Sequence, residues 1–182
     1  SALLAVHRHL RAGNIALIGF MGSGKSTVGR ALSGLFGLAF AETDAMIEEA
    51  AGMPIPEIFS RFGEAHFREL ESRCIAQAAA MSGAVISCGG GAVLRPENVD
   101  ALRKNSLLVL LTASPETILA RTQADTSRPL LSGKKTAADI ENLLAARQSA
   151  YENAAGITID TDGKSVYQIC EEIVLSAAGL AG

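Results

Sequence analysis

The sequence predicts an α/β fold, a five-stranded parallel sheet with helices on both faces. Three observations predict it. Short apolar runs alternate with stretches of helical spacing along the chain. Helical crossovers join consecutive runs, and a crossover that returns to start the next strand in the same direction makes the sheet parallel and covers both of its faces. Of the 182 residues, 48% are hydrophobic and 19% are charged, so the chain can bury a core and is neither a disordered tract nor a solvated coiled coil. At this length one domain spanning 1–182 is expected.

The first strand is 15–19, an apolar run that enters a glycine-rich loop. Residues 27–36 then place Val28, Ala31, Leu32 and Leu35 at helical spacing, with Gly37 as the stop. Residues 38–41 read as the second strand and 44–51 as a helix ending at Gly52. Pro54 opens a further short helical piece, a position where its fixed φ and missing N–H are tolerated. No Pro or Gly interrupts the long helix predicted over 64–81. Ala84–Ser87 is the third strand, closed by Gly89, Gly90 and Gly91. Residues 96–104 are helical, 107–111 form the most apolar strand, and Ser114 with Pro115 behind it makes an N-cap and N1 pair for the next helix. Residues 123–136 show no period and carry one Pro and one Gly, so they read as a loop. A helix over 136–153, a last strand at Ile157–Asp160 and a closing helix over 165–178 complete the pattern. The stretch 1–11 is a candidate extra helix.

Charge and cysteine usage exclude several functions. Sixteen Lys and Arg against 19 Asp and Glu leave a net charge of −3, which argues against broad nucleic-acid binding; an anion must meet a local cluster. Cys74, Cys88 and Cys170 show no CxxC spacing, so neither a disulfide framework nor a zinc site is supported. His7 and His9 have no Cys or carboxylate grouped with them, and His66 reads as a helix-surface residue. No apolar run approaches the ~20 residues of a membrane-spanning helix, and residues 1–12 lack a secretory pattern. The expectation is a soluble, cytoplasmic protein.

The chemistry begins at Gly19-Phe20-Met21-Gly22-Ser23-Gly24-Lys25-Ser26, which fits G-x-x-x-x-G-K-[ST] with a strand before it and a helix after it. The glycines allow backbone N–H groups to turn inward around phosphate oxygens, and the helix adds its positive end. Gly22, Ser23, Gly24, Lys25, Ser26 and Thr27 are therefore the candidate nucleotide ligands, with Lys25 reaching the outer phosphates and the Ser26 hydroxyl on Mg²⁺. ATP or GTP with Mg²⁺ is the expected ligand. The third strand does not end in the Asp that commonly supports such a metal, so that task falls to Glu42 or Asp44.

Glu42-Thr43-Asp44 follows the second strand, where a carboxylate can accept or orient the proton of a reacting hydroxyl, while Thr43 or Asp44 can equally serve as the cap of the next helix. Arg68 and Glu71 stand three apart on one helix face, which makes either a surface ion pair or a guanidinium held for a ligand. Gly89-Gly90-Gly91 is a second cradle of backbone amides or a flexible turn. Arg128-Pro129-Leu130-Leu131 lies in the aperiodic loop, where a cation could arrive on closure, and Arg147 is a further candidate for gripping a carboxylate.

In this order, with Phe67-Arg68-Glu69-Leu70-Glu71 and Tyr151 four residues after Arg147, these segments resemble shikimate kinases from about residue 15 onward. The resemblance implies a P-loop fold like that of nucleoside monophosphate kinases, with a shikimate-binding segment at about 43–81 and a lid at about 123–136. It implies transfer of the ATP γ-phosphate to the 3-hydroxyl of shikimate by a monomer. Asp44 would orient that hydroxyl, and Arg68, Glu71, Arg147 and Gly89 to Gly91 would hold the rest of the acid. Lys25 and Arg128 would neutralise the moving phosphoryl group, and Arg121 would stack on adenine. One position departs from the family: Glu42 stands where Asp is usual, so the Mg²⁺ contact is expected to persist with altered geometry. The alternatives are a kinase of another small hydroxy acid such as gluconate, which would not need the Arg68, Glu71 and Arg147 set, and a silent metabolite-sensing module, which should have lost Lys25, Asp44 or a lid arginine.

Overall fold

Strand β1 (Asn14–Ile18) is buried along its whole length and sends alternate side chains into two cores. The computed structural model describes residues 13–123 and 136–180. Around β1 stand β2 (Ala39–Glu42), β3 (Ala84–Ser87), β4 (Ser106–Thr112) and β5 (Ile157–Asp160), in the order β2-β3-β1-β4-β5 with every pairing parallel. Ile15 and Leu17 pack with Val28 and Leu32 of helix α1 (Lys25–Phe36) and with Ile169 and Ile173 of α7 (Val166–Leu180). Ala16 and Ile18 face the other way. They meet α3 (Ile55–Ala79), α4 (Pro96–Arg103), α5 (Pro115–Thr122) and α6 (Ala137–Ala154) through Ile75, Leu102, Ile118 and Ile140. A third, smaller cluster of Ile47, Ile58, Phe67 and Cys74 fastens α2 (Thr43–Ala51) to α3.

Register decides where the site lies. Ser87 pairs with Glu42 on one side and with Leu17 on the other, so β1, β2 and β3 finish level with one another. The phosphate-binding loop, the acidic pair after β2 and the glycine turn after β3 leave the sheet along one edge. This is the carboxyl edge, where parallel sheets bind ligands.

The candidate helix over 1–11 lies outside the described residues; the other predicted elements are present, with boundary shifts of one or two residues and two differences of physical interest. The expected short piece after Pro54 and the long helix after it form one run, α3, broken at Gly63, whose φ of 82° and ψ of 173° only glycine adopts easily. The cap of α2 is Glu42, and neither Thr43 nor Asp44 caps it, because the Thr43 hydroxyl is engaged by the glycine turn. The Ser114 cap is as expected and accepts from Thr117 N at 3.2 Å. Sequence reading overlooked Asn14, whose amide bonds Met81 O at 2.8 Å and Ala84 N at 3.0 Å and so ties β1 to the start of β3. No described helix is long and apolar enough to cross a membrane.

Candidate active site

Two cavities open at the carboxyl edge. One, of about 280 Å³, is lined by Gly22, Gly24, Lys25, Ser26, Thr27 and Arg121, among others. The other, of about 340 Å³, lies between α2, α3 and the glycine turn. Glu42, Asp44 and Gly89 line both, so a carboxylate stands where the two cavities meet.

The phosphate side is built from consecutive residues. Gly22 and Gly24 take positive φ values of 78° and 97°, which bends the backbone around the loop and into α1. Lys25 is buried and its Nζ donates to Gly19 O at 2.7 Å and Phe20 O at 2.9 Å, so the ammonium is drawn back across its own loop. Arg121 donates to Gly22 O at 3.0 Å and closes the rim. Ser26 Oγ donates to Glu42 Oε1 at 2.6 Å, and Arg30 lies 3.3 Å from the other oxygen of Glu42. Cys88 lines the same cavity, and burial pushes its thiol pKa up to about 12. It is a packing residue here, not a thiolate nucleophile.

The second cavity is assembled from distant parts of the chain. Arg68 is 9% exposed; its Nη1 donates to Glu71 Oε1 at 2.8 Å, and Glu64 lies 3.6 Å away. Glu71 is 1% exposed, and its second oxygen is buried with no hydrogen-bond partner. Burial raises the Glu71 carboxyl above its ordinary pKa; Arg68 opposes the rise, and the charge of Asp44 adds to it. A Cβ placed on Gly91 would lie 2.5 and 2.6 Å from the Arg68 guanidinium nitrogens, and one on Gly89 would lie 2.8 Å from Asp44 Oδ1 and 3.0 Å from Glu71 Oε2. The glycines are thus required by close approach of the charged groups. Phe59 and Phe67, with ring centroids 4.7 Å apart, supply an apolar wall across the break in α3. Arg147 reaches the turn from α6. Its guanidinium sits 5.6 Å over the Phe20 ring, and Nη1 is buried without a hydrogen-bond partner, 3.5 Å from where a Gly90 Cβ would be.

Lys25, Asp44, Arg68, Glu71 and the three glycines therefore line two adjoining cavities, and Arg147 stands beside them at Gly90. Arg128 and the expected lid lie outside the described residues, except for Gln123 and Thr136 at its ends, as do His7 and His9. His66 lies exposed on α3, stacked on Phe62 at 4.8 Å. Sequence reading missed Thr43, which is fully buried; its Oγ1 accepts from Gly89 N at 3.0 Å and donates over 3.4 Å to Ser87 O. A residue lying between two acids after a strand gives no signal of a bond 46 residues away.

A cradle for phosphates and an acidic pocket with a buried arginine, sharing the carboxylates of Glu42 and Asp44, can pass a phosphoryl group between two small ligands. The fold and the site define a P-loop kinase of the nucleoside-monophosphate-kinase type. Comparison with known proteins gives the family. Residues 21–178 match the family model for shikimate kinase. A shikimate kinase from Moorella thermoacetica is 50% identical over 161 residues, covering 88% of this chain and 92% of its own, and one from Geobacter sulfurreducens is 48% identical over 160 residues, covering 88% of each. A shikimate kinase from Acinetobacter baumannii, solved in complex with shikimate, superposes with a TM-score of 0.90 at 32% identity over 96% of this chain and 98% of that one. The chain belongs to the shikimate kinase family.

Proposed function

We propose that the chain transfers the γ-phosphate of ATP to the 3-hydroxyl of shikimate, giving shikimate 3-phosphate and ADP. One observation carries the reading: the cavity that adjoins the phosphate loop at Asp44 is lined by Arg68, held by Glu71, and by the glycine turn, beside which Arg147 brings a buried Nη1 without a hydrogen-bond partner up to Gly90. A carboxylic acid with ring hydroxyls is the acceptor this wall suits, since guanidinium groups pair with carboxylates and the glycine turn offers main-chain amides.

In the proposed reaction the acceptor oxygen forms a bond to the γ-phosphorus while the bond from that phosphorus to the β,γ-bridging oxygen breaks. Asp44 orients the attacking hydroxyl and takes its proton, and Lys25 leaves its carbonyl partners to neutralise charge on the phosphoryl group. Most of the rate enhancement then comes from positioning and charge stabilisation rather than covalent chemistry. Arg121, on the rim of the nucleotide cavity, would stack on the base.

Mg²⁺ fits the oxygens present. Ser26 Oγ and Glu42 Oε1 are hard donors in direct contact on the nucleotide cavity, and among the described residues no group of three His, Cys, Asp or Glu forms a closed metal cage. Few protein ligands suit an ion that keeps water and phosphate oxygens around it. Ser26 would bind it directly and Glu42 through water, and it would supply charge neutralisation at the phosphates. We further propose an acceptor-binding segment at about 43–81 and action as a cytoplasmic monomer that binds no nucleic acid.

ADP release measured with shikimate, gluconate and nucleoside monophosphates in turn tests the reading. Release that depends on shikimate is expected. Faster turnover of gluconate would replace shikimate with another hydroxy acid, and shikimate binding without ADP release would make the chain a sensor.

A further inference from the structure

Among the described residues, helix α6 makes one hydrogen bond to the glycine turn. Tyr151 Oη donates to Gly90 O at 2.6 Å, 61 residues away in sequence, and the side chain is 4% exposed. Arg147 lies four residues earlier and so on the same helix face. The same Gly90 is the point that Arg147 Nη1 approaches, and a Cβ there would also crowd Met21 N at 3.3 Å. On the far side of the turn, Thr43 Oγ1 holds Gly89 N. Two hydroxyls from two helices therefore fix consecutive residues of the turn. Burial also raises the Tyr151 phenol above its ordinary pKa, so it remains a donor.

We infer that Tyr151 is a positioning residue for the acceptor acid, acting through the Gly90 carbonyl to fix the spacing between the glycine turn and the Arg147 guanidinium. The inference rests on the functional reading above. The hydrogen bond fixes the turn beside the acceptor cavity, and neither of its partners lines the nucleotide cavity. Its loss should therefore weaken the acceptor and spare the nucleotide. Arg147 gains most from the constraint, because its buried Nη1 has no hydrogen-bond partner and the Tyr151 phenol interacts with its guanidinium.

Steady-state kinetics of Tyr151→Phe test this, with exposed Tyr167→Phe as the control. A roughly fivefold to tenfold rise in KM for shikimate is expected, with kcat and KM for ATP within about twofold of the parent. In an Arg147→Ala background the same substitution should add less than about twofold, since residues that act together are not additive. Calorimetric titration of shikimate repeats the comparison without turnover. An unchanged KM for shikimate, an equal loss in both backgrounds, or a joint decline of kcat and both KM values overturns the inference while the parent's activity preserves the functional reading. A parent that does not phosphorylate shikimate overturns both.

Discussion

Lys25 and Arg68 are both buried cations facing the same site, yet they are held by different means. Lys25 hangs from two carbonyls of the loop that carries it, five and six residues away. Arg68 rests on the Glu71 carboxylate and lies against a glycine 23 residues later, in a pocket whose other walls come from α2 and from the end of β3. The first arrangement is local backbone geometry, complete once the strand, loop and helix form. The second exists only when the tertiary fold is complete, and it stacks burial costs against each other. The nucleotide side should therefore lose chemistry without losing structure when mutated, whereas the acceptor side should lose both.

The sharpest break is Lys25→Met. Removing a charge that meets the moving phosphoryl group should lower kcat by about 10³-fold. Thermal melting should fall less than in Arg68→Ala, because the substitution leaves two loop carbonyls without their donor but strands no opposite charge. Coupled ADP release and a melting curve on the same sample decide it; a large fall in melting temperature would remove the contrast with Arg68.

Arg68→Ala should raise KM for shikimate by about 100-fold, the scale of truncating one partner of a desolvated charge pair, and it also strands the Glu71 carboxylate. Breaking a buried pair by removing one member costs about 3–5 kcal/mol when the survivor stays charged, but Glu71 can escape by taking a proton. Its folded pKa already lies above the ordinary value of 4.5, through burial. Its contribution to stability is therefore full below that value and is lost as pH rises through the folded pKa. Losing Arg68 moves the folded value higher still. The melting-temperature gap between parent and Arg68→Ala should widen from pH 5 to pH 8, and adding Glu71→Gln to the variant should flatten it. A gap independent of pH would show that Glu71 is not the stranded group.

The same contrast explains what could be read from residues alone. The loop at Gly19 to Ser26 was legible because its chemistry is contiguous and its strand and helix flank it directly. The sheet was legible because five apolar runs with crossovers leave few arrangements, although Gly63 breaks α3 in a way that composition shows only as an isolated glycine. The acceptor side was legible only jointly. Arg68 and Glu71 alone describe a surface pair, and nothing in their spacing says that the guanidinium will lie under Gly91. Thr43, like Asp44, reads from sequence as a possible helix cap because caps are local, while its real partners, Gly89 N and Ser87 O, are fixed by strand register.

Gly91→Ala probes that close approach with little backbone penalty. Gly91 has a φ of −97°, which alanine tolerates, and the new methyl would meet only the end of a flexible side chain. The guanidinium must move while the fold need not. KM for shikimate should rise about tenfold, with a smaller loss of stability than in Arg68→Ala, because the guanidinium is displaced from Glu71 but its charge is not removed. An unchanged KM would mean that the Arg68 position seen here is not the one that binds the acid.

Glu42→Asp should have the smallest effect and bears chiefly on the nucleotide side. Glu42 reaches Ser26 Oγ at 2.6 Å and Arg30 at 3.3 Å, and the Arg30 contact is exposed enough to add little. Removing one methylene withdraws the carboxylate from the serine that would hold Mg²⁺ but leaves its charge. The Mg²⁺ concentration for half-maximal ADP release should therefore shift by about threefold to tenfold at most, less than the 10–100-fold loss when a group supporting a metal ligand is removed altogether. KM for shikimate should not change, since the acceptor arginines are untouched. Glu42→Ala supplies the contrast: if Mg²⁺ titrations of ATP binding, read by calorimetry, match the parent in both variants, the carboxylate has no part in holding the metal, and its contact with Ser26 serves only to orient that hydroxyl.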